Sequence, residues 1–163
     1  MNPAVLSDQS SYYITFMASF VIWFMFLGLI VLWVIDGKLK KEQALHAFLA
    51  VLLAWLIAEV LKSLIPTQRP FTINGRLPLT FTLVTSNSNS FPSSHTAVAV
   101  ALAFSVWLHN KKNGLIFVIG AILVAAGRVL SNVHFVLDVA AGGFIGLTTA
   151  VILERIHVTK LIK

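Results

Sequence analysis

The run from Tyr12 to Ile35 contains no charged residue and is long enough to cross a bilayer as a helix. Four more apolar runs follow it. They are Ala44 to Ile65, with Glu59 and Lys62 near its end, and Ser94 to Leu108, which is shorter. Then come Leu115 to Leu130, with Arg128 at its end, and Phe135 to Leu153, with Asp138 one turn in. The chain is 58% hydrophobic and 11% charged, against about 25% charged in a soluble domain. The expected fold is all-α: a polytopic membrane helix bundle of about five transmembrane helices, with residues 1–163 as one domain.

The formal net charge of +6 does not point to nucleic acid, because most of the charges flank apolar runs. The absence of cysteine excludes disulfides and thiolate zinc sites. Lys38, Lys40, Lys41, Lys111, Lys112, Arg155, Lys160 and Lys163 all fall on one side of a five-span chain. The positive-inside rule makes that side cytoplasmic. The opposite side holds Lys62, Arg69, Arg76 and Arg128, together with an N-terminus bearing Asp8. The first run lacks a basic start and is too long for a signal peptide, so it is expected to persist as a span. The Pro66–Phe91 connection is polar, with an Asn74-Gly75 turn signal and the stretch Ser86-Asn87-Ser88-Asn89-Ser90. Connections of this length are usually functional or disordered, and this one is expected to form a functional lid or wall.

Three polar fragments sit at the edges of these runs: Lys62-x6-Arg69-Pro70, Pro92-Ser93-Ser94-His95 and Arg128-x5-His134-x3-Asp138. Lys62 alone reads as a snorkelling cation paired with Glu59 one turn back. Ser93 or Ser94 suits an N-cap, and a helix start favours an anion. His95 titrates near neutrality when unperturbed. His134 and Asp138 share a helix face, so the carboxylate can orient the imidazole and leave its other nitrogen to attack. A structural His–Asp pair is the plainer alternative. A metal site from His95, His134 and Asp138 is another, disfavoured by three nearby cations that call for an anion. Arg128 brings a fork suited to phosphate oxygens.

Together the fragments resemble the three signature motifs of the type 2 phosphatidic acid phosphatase superfamily. That superfamily includes membrane lipid phosphatases, glucose-6-phosphatase and vanadium haloperoxidases. Lys62, Arg69, Pro70, Pro92, Ser93, His95, Arg128, His134 and Asp138 match with the right internal spacing, so the motif core is 62–138. Ser94 stands where the family often has Gly, and Gly127 where it often has Ser. Many members have six spans, where this chain reads as five.

The resemblance implies that His134 attacks phosphorus, Asp138 holds it, and His95 is the acid and then the base. It also implies that Lys62, Arg69, Ser93, Ser94 and Arg128 hold phosphate oxygens, with no metal or other cofactor. The implied partner is a lipid phosphate or diphosphate in the membrane, foremost a polyprenyl diphosphate such as undecaprenyl diphosphate. Phosphatidylglycerophosphate or phosphatidic acid is the runner-up. A lipid phosphotransferase using the same site and a small anion transporter are the rival classes. The oligomeric state is not legible.

Gly142 and Gly146 have small-xxx-small spacing, and with Gly143 they read as close helix packing or as a groove for a lipid tail. Phe16, Phe20, Trp23, Phe24 and Phe26 read as lipid-facing bulk rather than a binding box. Tyr12, Tyr13, Trp33 and Trp107 fit interfacial belts. His46 reads as a packed, hydrogen-bonded side chain. His109 and His157 are expected on the cytoplasmic side, away from the site.

Overall fold

The computed structural model describes residues 8–35, 41–80 and 89–156. Every regular element among them is helical. α1 (Asp8–Ser19) and α2 (Val21–Ile30) are followed by a π-helical turn, Val31–Ile35. Then come α3 (Lys41–Leu64), the short α4 (Pro70–Asn74), α5 (Ser94–His109), α6 (Lys111–Leu130) and α7 (Val136–Arg155). α3, α6 and α7 are each long and apolar enough to cross a membrane. α1 and α2 qualify only as a pair, bent by 45°. The first apolar run is therefore a broken helix, where an unbroken span was expected. At the break the Arg128 guanidinium donates to the Ala18 carbonyl (3.2 Å), the kind of side-chain intrusion into a helical ladder that kinks helices.

α5 is the hub, packed against α3, α6 and α7. Its Ala97, Ala99, Ala101, Leu102, Ala103 and Val106 are buried nearly all round. α3 turns a stripe of small residues toward it: Ala47, Ala50, Ala54 and Ala58. α7 approaches through Gly142 and Gly146, where an added Cβ would collide with the α5 backbone at Ser93 and Ala97. Those glycines serve helix packing and form no groove. Phe48, Leu56, Ile116, Ile122 and Phe144 face outward. Small residues inside and bulky ones outside is the pattern of helices that meet lipid.

α1–α2 runs antiparallel to α6: Ala18 lies against Gly127, Met25 against Gly120, and Gly28 against Phe117. The end of α3, the start of α5, the end of α6 and the start of α7 share one end of the bundle. With 16 residues, α5 is about 24 Å long, shorter than the roughly 30 Å hydrocarbon core. Lys41, Lys111, Lys112 and Arg155 lie at the other end; Lys38, Lys40, Lys160 and Lys163 fall outside the described residues.

The described residues of the connection between α3 and α5 form a wall over the first end. Gly75 caps α4 in the left-handed region (φ 69°), so the Asn74-Gly75 turn forms as expected. Asn74 and Asn132 exchange reciprocal side-chain amide bonds of 2.8 and 3.0 Å. Leu79 N–H donates to the Ser131 carbonyl (3.0 Å). These bonds tie the connection to the α6–α7 turn. Ser86, Asn87 and Ser88 lie outside the described residues.

Candidate active site

One cavity of about 570 Å³ opens at the walled end, and its two halves differ in chemistry. Lys62, Arg69, Ser94, His95, Arg128 and His134 line the polar half, together with Glu59. These come from all three sequence fragments, brought together by α3, the wall, α5 and the α6–α7 turn. Asp138 stands behind His134 rather than on the cavity surface, and the buried Ser93 hydroxyl is turned away into the α5 cap, accepting from Thr96.

His134 is held from behind. Its Nδ1 lies 3.4 Å from Asp138 Oδ2 and 3.4 Å from Ser90 Oγ. The same carboxylate oxygen accepts a short bond from the Ser90 hydroxyl and a 2.8 Å bond from Phe135 N–H at the start of α7. Its second nitrogen, Nε2, lies 3.4 Å from Arg69 Nη1. Burial, helped by Arg128 and Arg69 against the opposing pull of Asp138, pushes the His134 pKa down to about 4. The imidazole is therefore neutral near pH 7, with a lone pair available at Nε2 when Nδ1 carries the proton. His95, His134 and Asp138 do not converge as a metal set among the described residues.

The cations are fixed by their own partners. Arg69 is buried and donates to the Val133 carbonyl (3.0 Å) and the Asn89 carbonyl (2.9 Å). Arg128 donates to Ala18 and to Thr80 Oγ1 (3.4 Å). Lys62 donates to Glu59 Oε1 (3.0 Å) and makes a short bond to Ser94 Oγ, which in turn donates to Glu59 (2.7 Å). Sequence reasoning missed Asn89 and Ser90. They sit at the end of a polar stretch with no periodicity to mark them, and only the fold brings them to Arg69 and Asp138. Asn89 also donates to the Lys62 carbonyl (2.6 Å), tying together the two ends of the first fragment.

The other half of the cavity is apolar. Ile22, Trp23 and Phe26 of α2 face Phe48, Val51, Leu52 and Trp55 of α3, with Val98 of α5 between the two halves. Trp23, Phe48, Leu52 and Trp55 are also exposed, so this half opens sideways through the helix surface. Phe16, Phe20 and Phe24 are exposed, as expected of lipid-facing side chains, whereas Trp23 and Phe26 border the cavity.

Residues 43–161 match the model of the PAP2 superfamily. The chain belongs to that superfamily. Among curated proteins it is 32% identical over 136 residues to the "Bacitracin transport permease protein BcrC" of Bacillus licheniformis, covering 83% of this chain and 66% of the relative. It is 30% identical over 137 residues to the "Putative undecaprenyl-diphosphatase YbjG" of Escherichia coli K12, covering 81% and 67%. This PAP2 chain thus spans about two thirds of the length of those relatives. The crystal structure of a Bacillus subtilis transmembrane PAP2 type phosphatidylglycerolphosphate phosphatase superposes with a TM-score of 0.61 at 26% identity, covering 95% of this chain and 77% of that one. Aquifex aeolicus LpxE shares the fold, with a TM-score of 0.67 at 24% identity over 95% of this chain and 89% of that one.

Both departures from the usual PAP2 motifs have a structural setting here. A Cβ at Gly127 would come within 2.6 Å of Ala18 N and 2.7 Å of the Met17 carbonyl carbon. Glycine lets α1 lie against α6 at the point where Arg128 takes the Ala18 carbonyl. The Ser94 hydroxyl bridges Lys62 and Glu59, a link that glycine would lack.

Proposed function

We propose that this protein is a membrane lipid phosphatase that removes the terminal phosphate of a polyprenyl diphosphate through a phosphohistidine intermediate, without a catalytic metal. The observation that carries this reading is the setting of His134. Its Nδ1 is backed by Asp138 and Ser90, and its Nε2 lies beside a guanidinium in a cavity with two further cations.

In the first step His134 Nε2 forms a bond to phosphorus while the bond to the leaving oxygen breaks. His95 supplies the proton that oxygen needs. Asp138 accepts from Nδ1–H and stabilises the ring as it becomes cationic. In the second step His95 takes a proton from water, the hydroxide oxygen bonds to phosphorus, and the N–P bond breaks to release inorganic phosphate. Arg69, Arg128 and Lys62, with the Ser94 amide, face the oxygens where negative charge gathers. Ser93 shapes the start of α5 as its cap.

The apolar half of the cavity supports a lipid substrate, because a tail can lie between α2 and α3 with its head among the cations. The Escherichia coli relative, a putative undecaprenyl-diphosphatase, supports a polyprenyl diphosphate, and the Bacillus subtilis neighbour supports phosphatidylglycerophosphate as the runner-up. With the bent pair and α5 each counted as a span, the chain crosses five times. The basic residues at the far end support a pocket on the extracytoplasmic side, with the N-terminus outside and the C-terminus inside. The test is phosphate release by purified protein in detergent from a panel of lipid phosphates and diphosphates, with and without a strong chelator. The reading expects fastest release from the polyprenyl diphosphate, no need for an acceptor alcohol, and activity that survives chelation. Anion flux in liposomes without hydrolysis, or activity lost to chelation and restored by metal, would refute it.

A further inference from the structure

The end of the bundle away from the cavity holds a second cluster. His46 comes from the first turns of α3, His109 from the last residue of α5, and Glu154 from the last turn of α7. One ligand atom from each lies within 4.8 Å of the other two. His46 Nδ1 is 3.7 Å and His109 Nε2 is 2.9 Å from the same carboxylate oxygen, Glu154 Oε2. The two rings lie roughly parallel, with centroids 6.4 Å apart.

A packed, hydrogen-bonded His46 was expected, and its packing is confirmed: the residue is 6% exposed. The hydrogen bonds are missing. Neither ring nitrogen of His46 has a hydrogen-bond partner among the described residues, and His109 Nε2 approaches Glu154 without hydrogen-bond geometry. Buried polar atoms are normally paired, so nitrogens converging on one carboxylate oxygen without bonds to it point to a shared ligand. Two imidazoles and a carboxylate are zinc-type donors, and zinc takes them at about 2.0–2.2 Å. Tetrahedral geometry puts such ligands roughly 3.3 Å apart, within reach of small side-chain shifts here. Glu42, one turn before His46, adds negative charge acting on His109.

We propose that His46, His109 and Glu154 bind one divalent first-row metal ion, zinc foremost, which clips α3, α5 and α7 together at the end opposite the phosphate cavity. Its function is structural. The length of α5 separates it from His134, so the metal takes no part in hydrolysis.

The experiment uses tag-free, chelator-stripped protein in detergent. Zinc is titrated against a chelating fluorophore, and thermal unfolding is followed by tryptophan fluorescence. Wild type should take up one zinc per chain and melt at a higher temperature when loaded. His109→Ala and Glu154→Gln should each weaken zinc binding at least tenfold, and a His95→Ala/His134→Ala double variant should keep it. Cobalt(II) added to wild type should give the visible bands of a nitrogen–oxygen site, a readout that needs no variant to fold. No zinc uptake by wild type, uptake unchanged in His109→Ala and Glu154→Gln, uptake lost with the catalytic histidines, or no cobalt bands would each overturn the proposal.

Discussion

The two ends of this bundle hold nearly the same groups with different immediate neighbours. The walled end has His95 and His134 with Asp138 behind; the far end has His46 and His109 with Glu154. At the walled end Lys62, Arg69 and Arg128 border the same cavity, a setting that suits the phosphate proposed for it. At the far end His46 Nδ1 and His109 Nε2 both approach one carboxylate oxygen of Glu154 instead. Histidine and carboxylate do not by themselves define a chemistry; the charge around them decides whether an anion or a cation is welcome.

The sharpest break of the comparison is His134→Ala against His46→Ala. The first should lower phosphate release to about a thousandth of wild type or less, while the second should leave turnover near normal. Retention of even a few per cent by His134→Ala would move the nucleophile elsewhere. Asp138→Asn comes next, with a loss on the order of 10²–10⁴ in kcat, because the amide cannot accept from Nδ1–H as a carboxylate does. Gly127→Ser tests the scaffold under Arg128. Its side chain meets the α1 backbone, so it should destabilise by about 1–3 kcal/mol, visible as a lower melting temperature.

The pH dependence sharpens the same contrast. His134 is held neutral by burial, with a pKa near 4 in the fold against an ordinary 6.5. The unfolded chain binds this proton first, so His134 lends the fold stability above about pH 6.5 that is lost as pH falls toward 4. The acid limb of kcat/KM set by this group should lie near pH 4. Arg128→Gln removes a positive neighbour, so the His134 pKa should rise and that limb should move to higher pH; a limb that stays put would separate Arg128 from His134. The smallest effect is expected from Glu59→Gln. Releasing half-exposed Glu59 from Lys62 should lower KM by roughly two- to fivefold, the range of a partly solvated ion pair.

What could be read from the sequence follows the range of the interactions. Span positions rest on runs of apolar residues, and the His134–Asp138 register rests on a separation of four. The family resemblance rests on spacings within short fragments. Each is carried by neighbouring residues. Nothing local marks Ser90 as the hydroxyl on Asp138, or Asn89 as the tie between Arg69 and Lys62. The bend at Phe20 lies beside the bond to the Ala18 carbonyl from Arg128, more than a hundred residues away. The α7 glycines read as helix packing or as a tail groove, and they close on α5, while the apolar half of the cavity is bordered by α2 and α3.

By itself the sequence determined the membrane class, the helical makeup, the family and most of the residues that line the polar half of the cavity, because periodicity and motif spacing are properties of a chain segment. The tertiary structure alone decided which side chains stand behind His134, why residue 127 is glycine, where the apolar half of the cavity opens, and that His46, His109 and Glu154 meet. Those outcomes depend on how each helix is rotated and how closely its backbone approaches the next, and a helix's rotation is set by the small residues on the helix it packs against.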